Sequence, residues 1–192
     1  MTRPRDPHRR EPRPALGTTT PSEPARSPVL DGDAAVDLLI ANTGPSQTVV
    51  DFDDDPVLRA AAHTTGRRYR ALPLRAQTHR TPSTGAADAD LVTLAWPRPH
   101  APSPTAGTQA LTVAAGLLRP GGHVALLLEP AVPQAYTITW TGAVLAAAHH
   151  VGLDYLQDII CLHTTLDPHD DGERLPQHRV VLVLRRQAGR HA

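Results

Sequence analysis

Four carboxylates crowd into the stretch 48-TVVDFDDDPVL-58: Asp51, Asp53, Asp54 and Asp55. Carboxylates spaced i, i+2 and i+4 can converge on a hard divalent cation. The glycine and the distal glutamate of a twelve-residue calcium loop are missing here, so the stretch points to no metal. Acids are also favoured at the positive end of a helix dipole, and Pro56 suits a first helical turn. The expected role is a solvated acidic turn capping the helix that follows. The histidines raise the metal question again. His149 and His150 are adjacent, which on a helix points them in different directions. His163, His169 and His178 form no i, i+4 pair, and they read as surface residues. The other candidate group is Trp96 with Pro97, in 89-ADLVTLAWPRPH-100. An indole at the end of a central strand can stack on an adenine or a target base; it can equally plug a cleft as a core residue.

Several chemistries are excluded. No G-x-S-x-G elbow supports a Ser-His-Asp site. All 19 basic residues are arginine, so no phosphate-binding G-x-x-x-x-G-K-[ST] loop is possible. No dinucleotide G-x-G-x-x-G occurs. A single cysteine, Cys161, rules out an intramolecular disulfide framework and a cysteine zinc site, and its apolar setting IICL suggests a buried inert thiol. Net charge is zero, so no overall field recruits nucleic acid or membrane. Aromatic residues make up 3%, too few for a base-stacking surface. The start lacks an apolar targeting segment, and no apolar run reaches the ~18 residues of a membrane span. A soluble cytoplasmic protein is expected, with no membrane partner.

These residues must be held by a fold that the periodicity outlines. Residues 1–28 are Pro- and Arg-rich with few apolar clusters, and they read as a disordered tail that can touch an acidic partner. A domain over 30–187 follows, then a frayed end at 188–192. Asp31 or Asp33 caps a helix, AAVDLLIAN, whose face is read as Val36, Leu39 and Ile40. TVVDF is a short buried strand, PVLRAAAHTTG a helix, and RRYRALPL a strand weakened by Pro73. ADLVTLAW is a strand, TAGTQALTVAAGLL a helix, RPGG its stop, and HVALLLEP a strand buried on both faces. TWTGAVLAAAHHVG is a helix. DYLQDIICLHTTL and HRVVLVLRR are strands joined without a helix, so they should form an antiparallel hairpin. Strand–helix alternation gives an α/β, doubly wound, Rossmann-like, mostly parallel sheet ending in that hairpin.

This order resembles the class I S-adenosylmethionine-dependent methyltransferase fold, over roughly residues 34–186. LLRPGGHVALLLEP resembles the segment of that family in which a helix ends in Pro-Gly-Gly before a strand. ADLVTLAWPRP is similar to the strand carrying the [Asp/Asn/Ser]-Pro-Pro-aromatic motif of DNA amino-methyltransferases. HRVVLVLRR is similar to the final strand of actinobacterial DNA-methylase-like proteins. The resemblance implies cofactor contacts at Asp51, Asp53 and Asp55. It implies a base pocket and catalytic position at Trp96 and Pro97. If the chain is active, the cofactor is S-adenosylmethionine and the reaction is methyl transfer to an exocyclic amine of adenine or cytosine, with DNA as partner. Arg67, Arg68, Arg70, Arg75 and Arg80 would then supply a basic surface.

The chain departs from the family's pattern at four places. An ungapped match puts Asp55 and Val57 where loop glycines let the backbone approach the cofactor. Strand two ends near Pro73 without the acid that holds the ribose. Leu94 and Ala95 replace the polar acceptor of the catalytic motif. The segment between the second strand and ADLVTLAW leaves little room for a third strand. The expectation is a degenerate methyltransferase-like protein, with no cofactor bound, or an interaction or regulatory protein with a protein partner on the same scaffold. The sequence leaves the oligomeric state open.

Overall fold

The structure is a computed structural model, and it describes residues 30–74, 87–96, 104–128, 134–163 and 177–188. The expected tail over 1–28 lies outside these residues. The elements run α1 (Gly32–Asn42), β1 (Thr48–Asp51), α2 (Pro56–Thr64), β2 (Arg68–Ala71), β3 (Ala89–Trp96), α3 (Pro104–Leu117), β4 (Leu118–Leu128), α4 (Gln134–His150), β5 (Leu153–His163) and β6 (Gln177–Arg186). The six strands form one sheet in the order β2-β1-β3-β4-β6-β5. β1 pairs in parallel with β2 and β3, and β3 with β4. β6 is antiparallel to both β4 and β5. The mostly parallel sheet with a terminal hairpin is therefore the architecture observed. Among the described residues no strand lies beyond β2.

Strand side chains alternate between the two faces, and each face has its own core. Val49, Leu91, Ala95, Ala125, Leu127, Val181 and Val183 pack with Ala35, Leu38 and Leu39 of α1 and Leu58, Ala61 and Ala62 of α2. Val50, Val92, Leu94, Trp96, Val124, Leu126, Leu182 and Leu184 pack with Ala110, Leu111 and Ala114 of α3 and Val144 and Ala148 of α4. This two-sided burial explains the unbroken apolar reading of β3 and β4.

Three local expectations need correction. The buried face of α1 is Ala35, Leu38, Leu39 and Asn42, whereas Ile40 is 57% exposed. Those four residues follow the i, i+3, i+4, i+7 spacing of one helical stripe, which Ile40 does not join. RPGG follows the end of α3 at Leu117, as a stop should, but it lies inside β4 rather than ahead of it. Leu118 already pairs with Ala89, and the register then shifts before His123 pairs with Leu91. Gly121 adopts φ +78°, and a Cβ on Gly122 would lie 3.1 Å from the carbonyl oxygens of Ala89, Asp90 and Arg119. The Pro-Gly-Gly is thus a bulge inside β4, where glycine permits both the left-handed backbone and the close approach. Cys161 is half-buried rather than buried.

Candidate functional site

In open α/β sheets the ligand crevice lies beyond the carboxyl ends of the strands, where the strand order reverses. Here that point is the gap between β1 and β3, since chain order runs outward from β1 to β2 and then jumps to β3. The backbone at this end of the sheet is Asp51 at the end of β1, Phe52 and Asp53 just after it, and Ala95 and Trp96 at the end of β3. β1 brings Asp51 to this place because its partners Val49 and Val50 are fully buried and fix the strand in depth.

Asp51 is fully buried. Its Oδ1 accepts from the Asp53 backbone N–H at 3.1 Å and the Thr93 hydroxyl at 3.0 Å. Its Oδ2 accepts from the Asp55 backbone N–H at 2.6 Å and the Tyr69 hydroxyl at 2.7 Å. The register makes this possible: Asp51 sits opposite Thr93, and Tyr69 sits opposite Val49 one side-chain step back on the same face. Burial raises the Asp51 pKa, outweighing the hydrogen bonds from Tyr69 and from the Asp53 and Asp55 N–H groups. Burial and the neighbouring Asp51 charge likewise raise the Tyr69 phenol.

The other three acids of the turn are also engaged. The Phe52 N–H donates to the Thr93 carbonyl at 3.0 Å, a backbone bond between the two strands. One step further on, the Asp53 Oδ2 accepts from the Ala95 N–H at 2.6 Å. A side-chain carboxylate thus continues the sheet ladder across the mouth of the crevice. Asp54 adopts φ +56°, a left-handed conformation that aspartate tolerates better than most residues. Its carboxylate pairs with Arg59, whose guanidinium lies 5.7 Å from the centre of the Tyr69 ring. Asp55 is the N-cap of α2, its Oδ1 accepting from the Val57 N–H at 2.8 Å. The turn therefore caps α2 as expected, and it is solvated only in part: Asp51 and Asp55 are buried, whereas the Asp54 side chain is 41% exposed. Among the described residues no group of acids and histidines is placed to hold a metal ion.

Trp96 turns away from the crevice. It is 4% exposed and belongs to the core beneath α3 and α4. A Cβ on Gly107 would stand 2.2 Å from its ring, so the indole lies directly on the α3 backbone. Beside it is an apolar cleft of about 60 Å³, walled by Leu111, Leu126, Val144 and Ala147. Pro97 lies outside the described residues. The basic stripe is partly spoken for: Arg67 donates to the Thr43 hydroxyl and carbonyl and to the Thr65 carbonyl, and Arg70 pairs with Asp88 at 3.3 Å. Arg75 and Arg80 lie outside the described residues.

These residues do not fit S-adenosylmethionine in the mode that the resemblance implies. Val57 packs against the α1/α2 core where a loop glycine would stand. Beyond β2 come Leu72, Pro73 and Leu74, none of them an acid. The Ala95 N–H at the catalytic position is taken by Asp53, and the side chains of Leu94 and Ala95 are apolar and buried. The sequence reading missed Tyr69 and Thr93. The only signal for Thr93 was a polar residue inside an apolar strand, and for Tyr69 an aromatic residue between two arginines.

No protein-family model matches the chain, and no curated protein matches it. Solved structures do. A protein from Bacillus halodurans assigned as a methyltransferase is 11% identical, covering 80% of this chain and 98% of that one, with a TM-score of 0.52. A variant of the 16S rRNA (adenine(1408)-N(1))-methyltransferase from Catenulisporales acidiphilia is 15% identical, covering 84% and 94%, with a TM-score of 0.50. The fold is that of the class I methyltransferases. A Thermoplasma acidophilum protein assigned to the same activity is 15% identical with a TM-score of 0.45, and this chain spans 66% of its length. Identities this low establish the fold and leave the chemistry to the site.

Proposed function

We propose that this chain is a methyltransferase-like protein whose cofactor crevice has become a structural joint, and that it works as a non-catalytic binding or regulatory module. The observation that carries this reading is the 2.6 Å bond from the Ala95 N–H to the Asp53 carboxylate across the β1–β3 gap. A cofactor in the fold's usual place would have to displace that bond. Its methionine carboxylate would also enter beside Asp51 and Asp53, with like-charge repulsion in a partly buried setting. We further propose descent from DNA-methylase-like proteins, on the resemblance of ADLVTLAWPRP, with a protein rather than DNA as the present partner. Zero net charge and the internal engagement of Arg67 and Arg70 favour a protein.

Titration of the purified full chain with S-adenosylmethionine tests the reading. A ligand of the folded state stabilises it by ~2.7 kcal/mol at a hundred times its dissociation constant, so melts provide an independent readout. No heat and no melting shift at millimolar cofactor support the proposal. Micromolar binding, or methyl transfer to DNA, overturns it.

A further inference from the structure

β5 is the last strand of the sheet, with β6 on its inner side. Among the described residues nothing pairs with its outer edge. Among the described residues the exposed large hydrophobics are Ile40, Tyr155, Leu156 and Ile160, and three of these lie on β5. Ile160 is 63% exposed. Long apolar edge strands present unpaired N–H and C=O groups and recruit another strand unless they are blunted. β5 has one interruption, a bulge between Tyr155 and Gln157. Beyond it, Gln157–His163 pairs with β6 in unbroken register.

We propose that this run pairs with the same run of a second copy, antiparallel about a two-fold axis through Ile160. Backbone edges accept any strand, so the side-chain pattern decides the occupant. A two-fold axis perpendicular to the sheet keeps each residue on its own face, so opposed positions share a face. Centred on Ile160, the register sets Ile160 against Ile160 and Ile159 against Cys161 of the second copy. It sets Asp158 against position 162, a leucine in the sequence, so no two charges of like sign are opposed. Centring on Asp158 would oppose two carboxylates, and centring on Ile159 would set Ile160 against Asp158. Asp154 lies before the bulge, outside the paired run. In the register centred on Ile160 the strand is complementary to itself, and its most exposed apolar residue meets its own copy. Cross-strand apolar pairs of this kind are the unit of sheet stabilisation.

Sedimentation equilibrium of the full chain at micromolar concentrations tests the proposal. The expected mass is twice 20.6 kDa. Ile160→Lys should weaken association about a hundredfold, since each isoleucine withdrawn from burial is worth about tenfold and the dimer contains two. Ile160 is exposed in the single chain, so its melting curve at low concentration should not move. Ile40→Lys, on the remote helix α1, should leave the dimer intact. Ile160→Cys in a Cys161→Ser background should give a covalent dimer with a short bis-maleimide. A monomer at every concentration overturns the proposal. So does a dimer indifferent to Ile160→Lys, or one in which Ile160→Cys fails to crosslink.

Discussion

Asp53→Ala isolates the contact on which the closed crevice depends. It removes the acceptor for the Ala95 N–H, now 2.6 Å from Asp53 Oδ2, and leaves the backbone bond from Phe52 N–H to Thr93 O in place. Ala95 is 3% exposed, so its N–H has little access to water once the carboxylate is gone. A buried donor left unmade costs about 1–3 kcal/mol, and an acceptor that is ionised sits toward the upper end. For a chain of this size each kcal/mol lowers the melting temperature by about 2–4 °C, so the variant should melt about 2–12 °C lower. Asp53→Asn keeps an oxygen that can accept and should recover part of the loss. Urea and thermal melts at neutral pH read both variants. An Asp53 that merely decorates a surface turn would change stability by less than about 0.5 kcal/mol on removal. That result in Asp53→Ala would refute the joint.

Further expectations concern the floor of the crevice and the two close-approach glycines. Asp51→Asn sets an amide N–H₂ against donors that now converge on the carboxylate, and should cost about 1–3 kcal/mol by denaturant melts. The pH dependence of Asp51 has a definite sign. Burial raises its folded-state pKa above the usual 3.8, so the native state holds the proton longer than the unfolded chain does. Its contribution is then fully present below that value and is lost as pH rises through the folded pKa. The stability gap between the natural protein and Asp51→Asn should narrow over that rise; a gap that widens contradicts the burial argument. Gly107→Ala drives a methyl into the Trp96 ring and should cost about 1–3 kcal/mol, with a change in the near-ultraviolet signal of the indole. Gly122→Ala presses on three backbone carbonyls in the β4 bulge and should destabilise by a similar ~1–3 kcal/mol, read by the same melts.

Much of the frame was legible because it rests on local pattern. β3 begins and ends where its apolar run does, and the absence of a helix between β5 and β6 announced the hairpin. Asp51 was placed at the end of the first strand by its position after TVV. What stayed hidden depends on contacts made 18 or 42 residues away in the chain. Tyr69 reaches Asp51 from β2, Thr93 reaches it from β3, and Asp53 meets Ala95 across the gap. No local spacing encodes these, since they follow from strand register. The same limit explains why β4 was read as starting after Pro-Gly-Gly rather than before it. Pro and glycine punctuate most chains, and only the pairing of Leu118 with Ala89 shows that the strand has already begun. Trp96 was left between two roles because its face depends on the strand's orientation, and the alternation of β3 turns it toward α3 rather than toward the crevice.

The central claim is that the crevice between β1 and β3 is closed by the chain's own carboxylates. Calorimetric titration of the full chain with S-adenosylmethionine, alongside Asp53→Ala, tests it most directly. The account predicts no binding to the natural protein at millimolar cofactor. Micromolar binding to the natural protein would contradict it.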